Sequence, residues 1–443
     1  MASPIVRISP YELHVSDPAF LEQLYRQEGR WHKYDWAVDA FAAEGGTLFT
    51  ADHDLHKARR QPLNPLFSKA KVASQQELIQ RHLNKLSSRL SNFASSGAMF
   101  NLGAAITVIA RDVANDYILG KSYNSLGRED FDVAMLTASQ GSGQIWRLSK
   151  HIRWVAPTLM AIPVDWILKT AGNDMKIFFL HIQETEKDTK TLISSASSPH
   201  QDPGARRTIV HAILDSKLSL TEKSAARIFQ DVTTLTGAGF ETTAGALRVV
   251  IFHVSHNVKI LRLLRAEFTS NNIDSGNVEV KTLQQLPYLT SIIMVGLRLS
   301  PAIATRMSRI SPDKDFFYGD RRIPAGTPIG MTSIILHMDE ALYPDPKSFN
   351  PGRWMNLESR KMAEKTFMPF SRGTRICLGM NLAWAEMYLI VATLVQRYNF
   401  QFQDATAEDF ECISDQFAIG TKGRGMLSWV NCSEAGYGGY DYV

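Results

Sequence analysis

Three stretches of this chain set reactive side chains at spacings that bear on chemistry. The first, FMPFSRGTRICLGMNLAWAEMYL from Phe367 to Leu389, gathers Phe370, Gly373, Arg375, Cys377 and Gly379 ahead of an apolar helical pattern. Gly373 and Gly379 permit tight turns, so Cys377 falls just before a helix N-terminus, where N–H groups and the helix dipole favour an anionic sulfur. A thiolate so placed is a nucleophile or a metal ligand. A nucleophile needs a base nearby, and the motif holds no histidine. The plainer alternative is a buried cysteine acting as a small hydrophobe.

The second stretch is Gly237-Ala238-Gly239-Phe240-Glu241-Thr242-Thr243, inside a helical pattern that runs from Leu218 to about His256 with capping-box spacing at Ser219–Glu222. Each mid-helix glycine costs up to ~1 kcal/mol relative to alanine, so something other than propensity placed them. Close packing of a crossing helix would account for the glycines but not for Glu-Thr-Thr. Ala238 and Thr242, four apart, share a helical face. The third stretch, ADHDLHKARRQPLNPLFSKAK, puts His56 and Arg60 on one helical face. A solvated basic helix is the neutral reading of it.

The elements that must position these residues are mostly helical. Ala73–Ala94 places Leu78, Ile79, His82, Leu83, Leu86 and Leu90 on one stripe. Residues 1–60 alternate β-like pieces (PIVRIS, ELHVS, TLFTA) with short helices, Ser194–Gly204 reads as a loop, and a helix past Pro287 ends near LRLSP before strands around RMSRI and RRIPAGTPIGM. The tail GYGGYDYV reads as a frayed end. At 443 residues, 44% apolar and 21% charged, the chain can bury a sizeable core. Cys377, Cys412 and Cys432 form no CxxC pair, which fits a reducing compartment. A net charge of +4 without a basic run argues against nucleic acid as a partner. No stretch of about eighteen apolar residues is present to span a bilayer.

The spacing FxxGxRxCxG around Cys377 resembles the heme-ligand loop of the cytochrome P-450 superfamily. The resemblance implies that Cys377 is the proximal thiolate of heme iron, that Arg375 pairs with a propionate, that Phe370 shields the sulfur and that Gly379 completes the loop. Gly237–Thr243 resembles the family's oxygen-binding groove, [AG]-G-x-[DE]-T. Ala238 would leave room for O2, Thr242 would donate a hydrogen bond to it, and Glu241 would relay protons. His56 and Arg60 are similar to the family's second propionate pair. RMSRI would supply Arg309 to a propionate and leave Arg306 nearer the pocket. FNPGRW, Phe349 to Trp354, resembles its meander. Lys57, Arg59, Lys69 and Lys71 would add positive charge where family members dock an acidic flavoprotein. Residues Phe131–Ile193, with Gln144, Trp146 and Trp154, would roof the pocket, their aromatics serving packing before recognition.

The implied fold is mainly α with a small β portion, one catalytic domain over residues 1–443. The implied reaction inserts one oxygen atom from O2 into a lipophilic secondary metabolite, terpenoid or polyketide. Heme b is the implied cofactor, with electrons from NADPH through an NADPH-cytochrome reductase and a monomeric enzyme. The wording of PIVRISPYELHV and DHDLHKARRQPLNPLFSK is similar to fungal, trichodiene-oxygenase-like members. Such members carry an N-terminal membrane helix and a hinge. PIVRI stands where the hinge would end, which implies an anchored parent in the endoplasmic reticulum and, for the chain as given, a soluble protein. A heme-thiolate isomerase or cyclase working without reductase, or a non-catalytic heme protein, are the alternatives. One position departs from the pattern: Val295 stands where Glu-x-x-Arg would place glutamate, while Arg298 and Arg353 match. The expectation is that backbone carbonyls, or another carboxylate, compensate the two arginines.

Overall fold

The computed structural model describes residues 4–196, 206–274, 278–403, 405–422 and 430–435. The tail GYGGYDYV and most of the expected loop at Ser194–Gly204 lie outside them, although the helix Asn173–Ala196 takes in the first residues of that loop. The centre of the molecule is one long helix, Ala225–His256. It begins later than the sequence pattern predicts: Thr221–Lys223 forms a separate 3-10 turn and Ser224, extended at ψ 148°, becomes the N-cap. Only half of the Ser219–Glu222 box forms: Glu222 N donates to Ser219 Oγ at 3.4 Å, while the Glu222 carboxylate is drawn away to Arg59 and Arg227.

The long helix is buried by neighbours on most sides. Leu102–Leu119, every residue of which is buried, crosses it. Gly239 sits at that crossing, where a β-carbon would lie 2.7 Å from Ala114 Cβ. The helix Pro287–Leu299 crosses on another side through Gly296, whose β-carbon would fall 2.3 Å from Val250 Cγ2. The C-terminal helix, Met380–Arg397, and the helix Gln76–Ser96 complete the same core. Leu78, Ile79, His82, Leu83, Leu86 and Leu90 are all buried, as their stripe predicts.

The β portion is small. Strands β1 (Ile5–Arg7), β2 (Leu13–Val15), β3 (His32–Lys33), β4 (Arg309–Ile310), β5 (Phe316–Tyr318), β6 (Arg321–Ile323) and β7 (Ile329–Gly330) come from the two ends of the helical block. Five of them pair in the order β1-β2-β7-β4-β3, with β2 and β7 parallel, over a second apolar cluster that holds Trp31, Met331 and Met368. β8 (Tyr398–Phe402) pairs with β11 (Val430–Glu434), β9 (Cys412–Gln416) with β10 (Ala418–Thr421), and β5 with β6. Among the described residues no helix is long and apolar enough to cross a membrane.

TLFTA is not a strand. Thr47–Phe49 forms a 3-10 turn within a strap, residues 44–50, that lies on the long helix. Gly45 N donates to Gln230 Oε1 at 2.7 Å and Thr47 N to Asp231 Oδ1 at 2.6 Å, so these N–H groups are satisfied without a partner strand. Arg227 bonds both Asp231 and Thr47, and Arg59 bonds Glu222, the Glu44 carbonyl and Thr50 Oγ1. Arg59 is therefore buried in this network and adds nothing to a docking surface, which corrects its expected role.

Candidate active site

Cys377 follows the 3-10 turn Gly373–Arg375 and precedes the C-terminal helix. Its N–H donates to the Phe370 carbonyl at 2.9 Å, which closes the loop, and the Phe370 ring lies 6.1 Å from that of Trp384. Burial pushes the thiol up, opposed by the N–H groups of Gly379 and Met380 and by the Arg60 guanidinium. The residue nevertheless keeps accessible surface. Both hold together when that surface faces an internal space instead of the outer solvent. Gly373 is needed for its backbone, at φ +73° and against the Tyr25 and Arg26 carbonyls. Gly379 is not, because its φ is −83° and a β-carbon there would meet open space.

A cationic cluster surrounds this loop. Lys33 and Arg309 stand directly opposite on β3 and β4, a like-charge pairing that is unfavourable by itself. Arg60 donates to the Ile376 carbonyl at 2.5 Å, and Arg309 to Ser371 Oγ at 3.3 Å. Arg375 donates to the carbonyls of Trp31, Thr50, Ala51 and Asp52, so it ties the sulfur loop to the end of the strap. Burial, then Arg309 and Arg60, lowers Arg375 to about 9. Burial and the guanidinium groups of Arg375, Arg309 and Arg60 push Lys33 well below its usual range, and burial keeps His56 neutral. Asp52 offsets Arg375, but its carboxylate caps the His56 helix through Leu55 N. Arg306 stands apart, paired with Glu12 at 2.8 Å.

So much buried positive charge calls for an anionic ligand. Among the described residues no group of three or more His, Cys, Asp or Glu is placed to hold a metal ion. A metal on Cys377 would therefore take its other ligands from a non-protein chelate. A planar iron chelate bearing two carboxylates would meet both demands: Cys377 would hold the metal, and Lys33, His56, Arg60, Arg309 and Arg375 would receive the carboxylates. Sequence reasoning missed Lys33, since the only signal is its register against Arg309. A charge-assisted bond contributes about 1.5–3 kcal/mol, so Lys33→Met is expected to weaken retention of protoheme roughly ten- to hundredfold. Retention of heme dimethyl ester should not change. An equal loss with both hemes would mean that Lys33 acts on the fold instead.

On the long helix, Thr242 Oγ1 donates to the Ala238 carbonyl at 2.8 Å, so the two residues share a face as expected and the hydroxyl hydrogen is engaged within the helix. Gly239 is explained by packing on Ala114, and Gly237 meets open space. Glu241 Oε1 receives Arg248 Nη2 at 2.5 Å, while Oε2 is buried without a partner. In the expected roof, Trp146 is buried against Phe41 and Phe417, whereas Gln144 and Trp154 are exposed.

Val295 is fully buried among Met294, Tyr343, Trp354 and Ala363. Arg298 donates to the carbonyls of His337 at 2.8 Å and Ser348 at 3.1 Å, and Arg353 to that of Pro344 at 2.7 Å. Carbonyls thus replace the missing carboxylate, one of the two compensations expected. The Tyr343 ring lies within 5.9 Å of both guanidinium carbons. Support still reaches the sulfur loop: His337, held neutral by burial at about 3, accepts Met368 N through Nε2 at 3.1 Å. Both Arg298 Nε and Arg353 Nε lack partners. Bonds from these to a charged group contribute about 1.5–3 kcal/mol each, and fitting and burying one carboxylate at this fully buried site takes part of that back. Val295→Glu is expected to raise the melting midpoint by roughly 1–3 °C; an unchanged or lower midpoint would show that the carbonyls suffice.

A family model described as Cytochrome P450 matches residues 7–426. A tryptophan 6-hydroxylase of Fusarium equiseti is 35% identical over 94% of this chain and 81% of its own length. An N-acetyltryptophan 6-hydroxylase of Emericella nidulans is 34% identical over 96% of this chain and 84% of its own. The crystal structure of a cytochrome P450 superposes with a TM-score of 0.74 at 17% identity, covering 96% of this chain and 89% of that one, which shows the fold. With the cysteine loop, the buried cations and the Glu-Thr pair in place, the match over nearly the whole chain makes this protein a member of the cytochrome P450 family.

Proposed function

We propose that the protein inserts one oxygen atom from O2 into a lipophilic secondary metabolite, the second atom leaving as water after two electrons and two protons are supplied. The observation that carries this reading is the joint presence of the Cys377 loop with its buried cations and of Glu241 and Thr242 on the long helix. Heme b, held as described above, would supply dioxygen activation when bound. Cys377 would hold it as an anionic thiolate, stabilised by the Gly379 and Met380 N–H groups and by Arg60. Glu241, with a quarter of its side chain accessible, would take up protons, and Thr242 would position oxygen beside Ala238. The electrons would come from NADPH through a separate reductase.

The substrate class proposed from the resemblance is terpenoid or polyketide. A second reading, an aromatic ring carbon of an indole compound, is favoured by the two hydroxylases named above. We also place the protein at the endoplasmic-reticulum membrane. Exposed Trp154, Met160 and Trp166 beside Arg153 and Lys169 support contact with a lipid surface. Incubation of the purified, heme-loaded chain with NADPH, a reductase and a panel of terpenes, polyketides and indoles tests the reading. Oxygenated product carrying 18O from 18O2 is expected. Product formed without NADPH would support an isomerase or cyclase instead.

A further inference from the structure

The geometry points to Arg248 as the residue that positions the Glu241 carboxylate: it holds Oε1 and leaves Oε2 as the atom through which protons are passed. The inference rests on the oxygenase reading and goes beyond it, since nothing in the Glu-Thr-Thr motif specifies what orients the acid.

Glu241, Gly245 and Arg248 lie at i, i+4 and i+7 on the long helix, one above another on a single stripe. Helical side chains lean toward the N-terminus, so Arg248 reaches back along this stripe. It passes over Gly245, where a β-carbon would stand 3.9 Å from Arg248 Nη2 and 3.5 Å from Ser300 Oγ. These are ordinary van der Waals distances, so the guanidinium's path does not depend on the glycine. At the far end Nη2 meets Glu241 Oε1 at 2.5 Å, and Nη1 donates to Thr107 Oγ1 on the crossing helix at 2.8 Å. Thr107 in turn donates to the Gly103 carbonyl at 2.9 Å. The arginine side chain is 4% accessible, so the pair is shielded from solvent on the cation side.

Oε2 is the second observation. It is buried and has no protein partner, although its twin is bonded. A buried carboxylate oxygen without a donor is costly unless a water or substrate group reaches it, so Oε2 is the atom open to exchange. A proton arriving there converts the carboxylate to the acid, and passing it on to the oxygen being reduced regenerates the carboxylate. Arg248 keeps the same oxygen free through each cycle. The charged groups on the elements around it are otherwise engaged. Arg111 on the crossing helix is bonded to Asp132. His181, on the helix Asn173–Ala196, lies in the field of Arg111, Asp132 and Asp188. Arg298 is bonded to carbonyls.

Holoenzyme carrying Arg248→Leu, Arg248→Lys or Arg248→Leu with Glu241→Gln tests the proposal. The carboxylate infrared band that Glu241→Gln abolishes should shift in Arg248→Leu and return toward the parent position in Arg248→Lys. This readout needs no substrate and no turnover, so it stands if the oxygenase reading fails. In turnover with NADPH and reductase, Arg248→Leu should raise peroxide released per product by roughly tenfold or more, within the span of a lost acid–base contribution. Arg248→Lys should recover most of the coupling. An unmoved infrared band, or a Leu variant with the parent's peroxide ratio, overturns the proposal. A fall in heme content alone, with band and ratio unchanged, assigns Arg248 to packing and overturns it equally.

Discussion

Gly373→Ala is expected to yield protein that melts far below the parent and retains no heme. At φ +73° the backbone is left-handed, which costs an L-residue about 1–2 kcal/mol. The larger penalty is steric. The new β-carbon would lie 2.6 Å from the Arg26 carbonyl oxygen and 2.7 Å from that of Tyr25. These are main-chain atoms beside Trp31 in the second core cluster, so they cannot swing aside as a side-chain tip would. The total exceeds ~4 kcal/mol, in the range reserved for disrupted cores. Melting followed by circular dichroism, with heme content per chain, measures it. Gly379→Ala is the control: with φ −83° and open space at the β-carbon it should melt with the parent. A Gly373→Ala protein within a few degrees of that control would refute the account.

Cys377→Ser should instead fold and lose the chemistry. Serine matches the shape, and the loop-closing bond from residue 377 N to the Phe370 carbonyl involves no side chain. What changes is the anion. Two N–H groups and Arg60 favour a charged sulfur against the burial that opposes it, and a hydroxyl, a far weaker acid than a thiol, stays neutral under the same influences. The thiolate-type carbon monoxide difference band should vanish on reduction, and product should fall below detection, while the melting midpoint of the heme-free chain stays close to the parent's. A thiolate-type band surviving in Cys377→Ser would remove Cys377 from the metal.

Much of this site was legible in the chain because its signals are local. The Cys377 loop, the His56–Arg60 spacing and the buried stripe from Leu78 to Leu90 each depend on neighbours within a few turns. What was hidden depends on partners far along the chain. Lys33 gains meaning only opposite Arg309, and the strap residues only against Gln230 and Asp231. The capping box at Ser219–Glu222 forms only in half for the same reason: Ser219 Oγ accepts Glu222 N, but the glutamate side chain is claimed by Arg59. Gly379 looked like a turn glycine, yet its φ is ordinary and a β-carbon there meets no neighbour. Val295 looked like a gap in a charge network, yet His337, Ser348 and Pro344 supply carbonyls that no motif announces. Arg248 was within reach: a Glu-Gly-Arg stripe at i, i+4, i+7 is a local pattern, and its buried helix context was the missing clue.

The strap bears on how this scaffold can diversify. Residues 44–50 are pinned to the long helix through Gln230 and Asp231, and the carbonyls of residues 50–52 are held by Arg375 two positions from the sulfur. An insertion or deletion there would shift two registers at once, so drift in length is closed off. Selection for new substrates is left to work on flanks that carry no such double tether, such as the exposed surface around Trp154 and Trp166. Libraries built on those flanks should keep heme content, whereas libraries that vary the length of the strap should mostly yield empty protein.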